Sequence, residues 1–353
     1  MHNAPFVEVA GLISVIICTH NRGRVFEKTV NSFLECHTDG IDHELVLVDN
    51  NSTDGTREIA ERFTTLNSRI RYVMEPQEGL SHARNKGIRV AVGDIVAFVD
   101  DDVYFSPFWL AALNSAFKRR PDIACIGGRV VPYFEADPPP WIENNILMIY
   151  GITQFGDLER EILPPEIPIG CNMAFRRSVF QQIGVFHTSL GRTPGNLLSG
   201  EDDHIIHRVT NAGLKTLYSP DAQVSHRISP ARLTRQWVLS RFYWGGISVV
   251  ALKQLSDDPI SRMMLAWKAV RLIVRLVRRW EDAAGFLGTR FGKDVDIPMW
   301  KQIDLCYFTG KLRQTVAETL SFHERKSSES GAGQGLDVIE PGGSPEQIFP
   351  GKS

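Results

Sequence analysis

The stretch Ile95-Val96-Ala97-Phe98-Val99-Asp100-Asp101-Asp102 decides the fold. Five apolar residues, three of them β-branched, are too short a run for a helix and read as a strand covered on both faces. Three adjacent carboxylates follow. They repel one another unless a divalent cation or a basic partner offsets their charge. Alternation along an extended chain points Asp100 and Asp102 to the same side. In open sheets of parallel strands, ligands bind beyond the carboxyl ends of the strands, which is where this acidic group falls.

Working outward, residues 12–18, 44–49 and 70–74 read as further buried strands. They alternate with helical stretches at 24–36, 54–65 and 80–92. This βαβα order predicts a parallel sheet with helices on both faces. Polar residues gather at the strand ends, in Thr19-His20-Asn21-Arg22 and in Asp49-Asn50-Asn51-Ser52. Farther on, 123–134 reads as a strand pair or one long bent strand kinked at Gly127-Gly128. Residues 142–169 form a weakly patterned excursion, 172–175 a strand and 177–183 a short helix. Glu201-Asp202-Asp203 opens a helix over 201–212, and 215–219 and 222–226 are strand-like.

Each of these polar groups has two readings. Asp100 and Asp102 are either a solvated acidic loop or a site for Mg²⁺ or Mn²⁺ with substrate phosphates. Asp49 either forms a turn or accepts hydrogen bonds from a ribose or base. Arg84 makes a salt bridge or reaches a phosphate. The three acids at 201–203 favour a helix first turn electrostatically, or supply a general base beside an acceptor hydroxyl. His226 is structural or a ligand.

Composition excludes several classes. The chain has 353 residues, of which 43% are hydrophobic and 23% charged, so it is neither disordered throughout nor a disulfide scaffold. Its five cysteines are widely spaced without a C-x-x-C, and no secretory signal or membrane span is read, so a reducing cytoplasm is expected. No phosphate-binding glycine loop, zinc-protease motif or serine elbow is present.

Taken in order, Val15–Arg22 (VIICTHNR), 46–55, 79–87, 98–102, 170–176 (GCNMAFR), 200–203 (GEDD) and 220–226 (PDAQVSH) resemble glycosyltransferase family 2. These are the inverting, nucleotide-sugar-dependent enzymes of GT-A fold. The resemblance covers about residues 12–228. It implies a Rossmann-like α/β domain over 11–228 and a metal-dependent transfer of a sugar, from a UDP-sugar, to an acceptor hydroxyl. The acceptor would be a saccharide or lipid-linked molecule in surface polysaccharide or glycolipid synthesis. Residue by residue, Thr19, Asn21 and Arg22 would line the nucleotide pocket and Asp49 would contact the base. Arg84 would approach the diphosphate, Asp100 would face the ribose and Asp101 would fill the variable middle position. Asp102 would bind Mn²⁺ or Mg²⁺, with His226 as a further ligand. Asp202 would be the base and Glu201 would orient the acceptor. Gly170, Asn172 and Met173 would form the floor beneath the sugar. A catalytically degenerate nucleotide-sugar-binding or scaffold protein is the alternative.

Beyond this stretch the pattern turns helical, over 231–253, 260–284 and 299–324, within a region spanning 229–325. Residues 1–10 read as a leader and 326–353 as a disordered tail. Residues 231–280 hold ten Lys and Arg against two acids. In the 260–284 helix, Lys268, Arg271, Arg275, Arg278 and Arg279 fall on one side, opposite leucines, valines and tryptophans. That pattern fits an anionic membrane surface, at the inner face of the membrane, or a helix packed on the catalytic domain with a solvated basic face. No nucleic-acid module is recognised.

Overall fold

The computed structural model describes residues 11–144, 146–256, 259–278 and 298–320. Expectations for 1–10, for 326–353, and for the basic helix beyond 278, Arg279 included, lie outside the described residues. So does the side chain of Arg278.

The first half builds as its pattern predicts. The strands β1 (Ile13–Thr19), β2 (His43–Asp49), β3 (Ile70–Met74) and β4 (Ile95–Asp100) are separated by α1 (Gly23–Leu34), α2 (Thr56–Leu66) and α3 (Leu80–Val90). They pair in parallel in the order β3-β2-β1-β4. Because side chains alternate along β1, Ile13, Val15 and Ile17 enter one core with Phe26, Val30 and Phe33 of α1. Ile16 and Cys18 enter the other core with Ala83 and Ile88 of α3. Both faces of the sheet are therefore covered, which is why these strands read as unbroken apolar runs.

The sheet continues as β8-β6-β9-β5, with β8 antiparallel to β4. Here β6 is Ile123–Phe134, β8 is Asn172–Arg176 and β9 is Lys215–Ile228. Residues 123–134 are thus one long strand, and so are 215–228, which the pattern divides at Pro220-Asp221. The two run parallel, with an irregularity between Gly128 and Val130 that accommodates the extra residues of β9. Three elements are not read from the pattern: β5 (Val103–Phe105), α4 (Trp109–Arg119) and β7 (Arg160–Ile162). For α4 the signal exists, since Trp109, Leu110, Leu113, Ala116 and Phe117 recur at helical spacing and are all buried. A short α5 (Val179–Ile183) and α6 (Glu201–Asn211) lie in the second core.

The C-terminal helices are α7 (Arg235–Gln254), α8 (Arg262–Arg278) and α9 (Met299–Leu320). The Thr234 hydroxyl caps α7 by accepting from Trp237 N–H. Helices α7 and α9 cross at two glycines. A Cβ on Gly246 would lie 2.1 Å from the Tyr307 carbonyl, and one on Gly310 would lie 1.9 Å from that of Tyr243.

Candidate active site

A cavity of about 640 Å³ opens at the carboxyl ends of β1 and β4, closed in by α3, α6, the 191–200 loop and residues just after β9. Thr19, Arg22, Arg84, Asp100, Asp101, Asp102, Gly170, Glu201, Asp202 and His226 all line it. Ten of the fourteen residues singled out from the sequence are therefore brought together.

At one end stands Asp102, 4% exposed. Its Oδ2 accepts from Arg22 Nη2 at 2.6 Å and from Arg232 Nη2 at 2.9 Å, and His226 Nε2 lies 3.2 Å from its Oδ1. Burial opposes ionisation here, but His226, Arg232 and Arg22 together hold this carboxyl well below the usual range. Asp101 is driven the other way. Burial pushes it up to about 6, against the pull of Arg22 and of the Thr19 hydroxyl that donates to its Oδ2 at 2.7 Å.

Asp100, Asp102 and His226 each offer one ligand atom, all within 4.8 Å of one another. The donor set suits a divalent cation of the Mg²⁺ or Mn²⁺ type. The His226 ring supports this fit. Nδ1 faces the Tyr150 carbonyl at 2.5 Å, so it donates there and is not available to an ion. Nε2 is thus turned to the shared space, 3.2 Å from Asp102 Oδ1 and 3.3 Å from Arg232 Nη1.

At the other end α6 presents Glu201 and Asp202. Asp202 Oδ2 accepts from Gly170 N–H at 2.8 Å and its Oδ1 from Arg84 Nη1 at 2.8 Å. Its side chain is 23% exposed, against 6% for Glu201. Burial and the neighbouring Asp202 push the Glu201 carboxyl up to about 8, and its Oε2 is buried without a hydrogen-bond partner. Glu201 is thus mostly protonated near neutral pH.

Arg84 joins the two ends. It is buried, it also donates to the Gly170 carbonyl at 3.1 Å, and its Nη2 lies 3.4 Å from Asp100 Oδ1. Burial disfavours its charge, but Asp202, Glu201 and Asp100 outweigh that and hold it firmly protonated. Gly170 sits where these groups meet. A Cβ there would lie 2.4 Å from Asp202 Oδ2 and 2.6 Å from Arg84 Nη2, so this position admits only glycine without a shift.

Four expected residues are not among those lining the cavity. Asn172, 1% exposed, spends its amide on the fold: Nδ2 donates to the carbonyls of Arg129 and Ala222, and Oδ1 accepts from Trp109 Nε1. Met173, also 1% exposed, packs in the core. Neither therefore forms the expected floor beneath a sugar. The Asp49 carboxylate accepts from Ser52 N–H and the Tyr72 hydroxyl. Asn21, at φ 52°, receives Thr53 N–H on its Oδ1 and stitches the β1 and β2 loops together.

Conversely, Arg192, Arg232, Arg241 and Tyr150 line the cavity without being singled out as site residues. Arg232 and Arg241 follow β9, so the helical region contributes to the site. The only sequence signal for Arg192 is its position in a loop between Gly191 and Gly200.

The glycosyl transferase family 2 model matches residues 14–184. The chain is 27% identical over 272 residues to the glucosyl-dolichyl phosphate glucuronosyltransferase of Haloferax volcanii, covering 74% of this chain and 85% of that one. It is 28% identical over 221 residues to glycosyltransferase AglE of the same organism, covering 62% and 67%. Among solved structures it resembles the mannosyltransferase PcManGT of Pyrobaculum calidifontis, determined with GDP-Man and Mn²⁺. There the TM-score is 0.53 at 20% identity, over 88% of this chain and 87% of the other. Seven motifs in order, a parallel sheet with its acids at the strand ends and these matches agree: residues 14–184 are a glycosyltransferase family 2 domain, and the chain has the GT-A fold.

Proposed function

We propose that this chain transfers a sugar from a nucleoside diphosphate sugar, a UDP-sugar, to an acceptor hydroxyl with inversion at the anomeric carbon. One observation carries the reading: Asp202 and the Asp100–Asp102–His226 group face the same cavity, tied through the Arg84 guanidinium. Asp202 keeps lone pairs toward the cavity after its two hydrogen bonds, and takes the proton from the acceptor hydroxyl as that oxygen attacks. Glu201, held neutral, orients. Asp100, Asp102 and His226 would hold Mn²⁺ or Mg²⁺, which when bound offsets charge on the departing diphosphate. Arg22 and Arg232, fixed on Asp102, add positive charge at the same end. A single displacement leaves the configuration inverted.

The helical region and the name of the Haloferax glucuronosyltransferase support a lipid-linked acceptor. Among the described residues no helix is long and apolar enough to cross a membrane. Instead α8 buries Leu265 and Ala269 but leaves Met263, Trp267 and Val277 exposed at 84%, 56% and 61%. Arg271 lies over the Trp267 ring at 4.5 Å. Arg275, exposed as well, stacks on α9, 3.8 Å from the Phe308 ring centroid. A mixed apolar and basic outer face is the composition of a helix lying in an anionic lipid surface, at the cytoplasmic side of the membrane.

The test of the reaction is a panel of UDP-, GDP- and dTDP-sugars scored by thermal shift with and without Mn²⁺, followed by donor hydrolysis. Asp102→Asn should lose Mn²⁺-dependent binding. Asp202→Asn should bind the donor but not turn it over. Full turnover in Asp202→Asn would remove the base assignment, and no shift with any nucleotide would remove the donor.

A further inference from the structure

Five arginines line the cavity: Arg22, Arg84, Arg192, Arg232 and Arg241. Three are neutralised in place. Arg22 and Arg232 lie on Asp102, and Arg84 lies on Glu201, Asp202 and Asp100. The other two are not. Arg192 makes no side-chain hydrogen bond or ion pair among the described residues. Arg241 reaches only neutral oxygens, the Leu197 carbonyl and the Ser199 hydroxyl, each at 3.3 Å, and its Nε is buried with no partner.

Their position is specific. Arg241 projects from α7 onto the 191–200 loop that carries Arg192, and Ser199 stands two residues before Glu201. Both guanidinium groups border the cavity beside the α6 acids: Arg241 feels Glu201 and Asp202, and Arg192 feels Glu201 and also Arg232, which lies on Asp102. Arg192 also presses on its neighbours. Burial, and then Arg192, lower Arg241 to about 10, which leaves it charged at neutral pH. Burial and Arg192 likewise push Arg232 down, against the pull of Asp102. Glu201 and Asp202 attract Arg241 without pairing with it, so two partly buried cations without an ion pair converge on one concave space, an arrangement that an incoming anion stabilises.

We propose that Arg192 and Arg241 form an anion subsite at the Asp202 end of the cavity, taking a phosphate or carboxylate that a substrate carries beside the reacting centre. The proposal rests on the glycosyltransferase reading and narrows it: one of the two substrates is anionic apart from the nucleoside diphosphate. The group has two sources, a phosphate or carboxylate on the acceptor, or a carboxylate on the donor sugar.

Calorimetry on the full chain tests this, with UDP plus Mn²⁺, methyl phosphate, methyl glucuronoside and neutral methyl glucoside as probes. Methyl phosphate or the glucuronoside should bind wild type more tightly than the glucoside does. Arg192→Gln and Arg241→Gln should each weaken that anion binding about tenfold, the loss of a charge-assisted hydrogen bond, while UDP affinity stays within about twofold. Arg192 holds nothing in the fold, so Arg192→Gln decides the matter if Arg241→Gln is unstable. UDP-glucuronic acid and UDP-glucose then separate the sources. Preference for the uronate, lost in Arg192→Gln, places the anion on the donor. Equal donor affinities, with methyl phosphate still binding the UDP-loaded protein, place it on the acceptor. Anion binding unchanged in both variants, absent from wild type, or falling in step with UDP overturns the subsite. If methyl phosphate binds through these arginines while no nucleoside diphosphate binds at all, the subsite stands and the transferase reading falls.

Discussion

Arg84 Nη1 stands 2.8 Å from Asp202 Oδ1, and Nη2 of the same guanidinium stands 3.4 Å from Asp100 Oδ1. One buried cation therefore sets the spacing between the α6 acids and the acidic end of β4. Its planar fork meets Glu201 and the Gly170 carbonyl as well, a set that a lysine ammonium cannot span. Removing it leaves the carboxylates of a buried network uncompensated. Arg84→Ala should lower stability by about 3–5 kcal/mol, the usual range for breaking a buried pair. Arg84→Lys should recover less than half of that. Urea denaturation at pH 7 measures both, and a wild-type midpoint for Arg84→Lys would show that the fork is not needed.

Gly170 tests the same convergence from the backbone side. Adding one methyl drives a Cβ into Asp202 and Arg84 rather than into open space. Gly170→Ala should displace the Asp202 carboxylate and cut kcat by about 10- to 100-fold, as expected for a misplaced reacting group. The atoms nearest that Cβ belong to Asp202 and Arg84 and not to Asp102 or His226, and it reaches Asp100 only through Arg84, so affinity for UDP with Mn²⁺ should fall much less than turnover. Equal losses in binding and turnover would mean that Gly170 shapes the donor pocket instead.

The parts of the site that were legible lie at the ends of buried parallel strands, where polar residues have one place to go. Thr19, Arg22 and the Asp100–Asp102 run follow from β1 and β4 in this way. Asn172 was not legible, because its role depends on the Trp109 ring and on the carbonyls of Arg129 and Ala222, 43 to 63 positions away in the chain. A short polar motif looks the same whether its amide serves a ligand or the fold. Arg192, Arg232 and Arg241 were hidden for the opposite reason. They sit in a glycine-bounded loop, a single 3₁₀ turn and a long helix, and no local periodicity tells which arginine of such segments faces inward.

Glu201 gives the fold a pH signature. Its folded pKa of about 8 lies above the ordinary glutamate value of 4.5. The folded state therefore holds its proton more tightly, and this contribution to stability is full below about 4.5 and is lost as pH rises through about 8. Asp101 acts in the same direction but only between 3.8 and about 6. The difference between the protein and its Glu201→Gln variant between about pH 6 and 8 therefore reports on Glu201. Melting temperature of the wild type should decline across that window relative to Glu201→Gln, in which the group cannot ionise. Parallel curves would show that the Glu201 carboxyl does not titrate there.

The outer face of α8 makes a prediction independent of the chemistry. Met263 and Trp267 are exposed one turn apart, and Lys268 and Arg271 lie on the same stretch. If this face enters a lipid surface, the full chain should float with vesicles containing an anionic phospholipid and less with neutral ones. Raising the salt should weaken binding without abolishing it, because charge attraction is screened within about 10 Å at 0.1 M salt whereas apolar insertion is not. Met263→Glu with Trp267→Glu should abolish flotation, since both anchors then carry charge. Neither side chain supports a core, so melting temperature and UDP affinity should hold. Arg275→Gln separates the two faces of the helix: Arg275 packs on Phe308, so its loss should cost stability more than flotation. Flotation that survives the double substitution would place the lipid contact elsewhere on the chain.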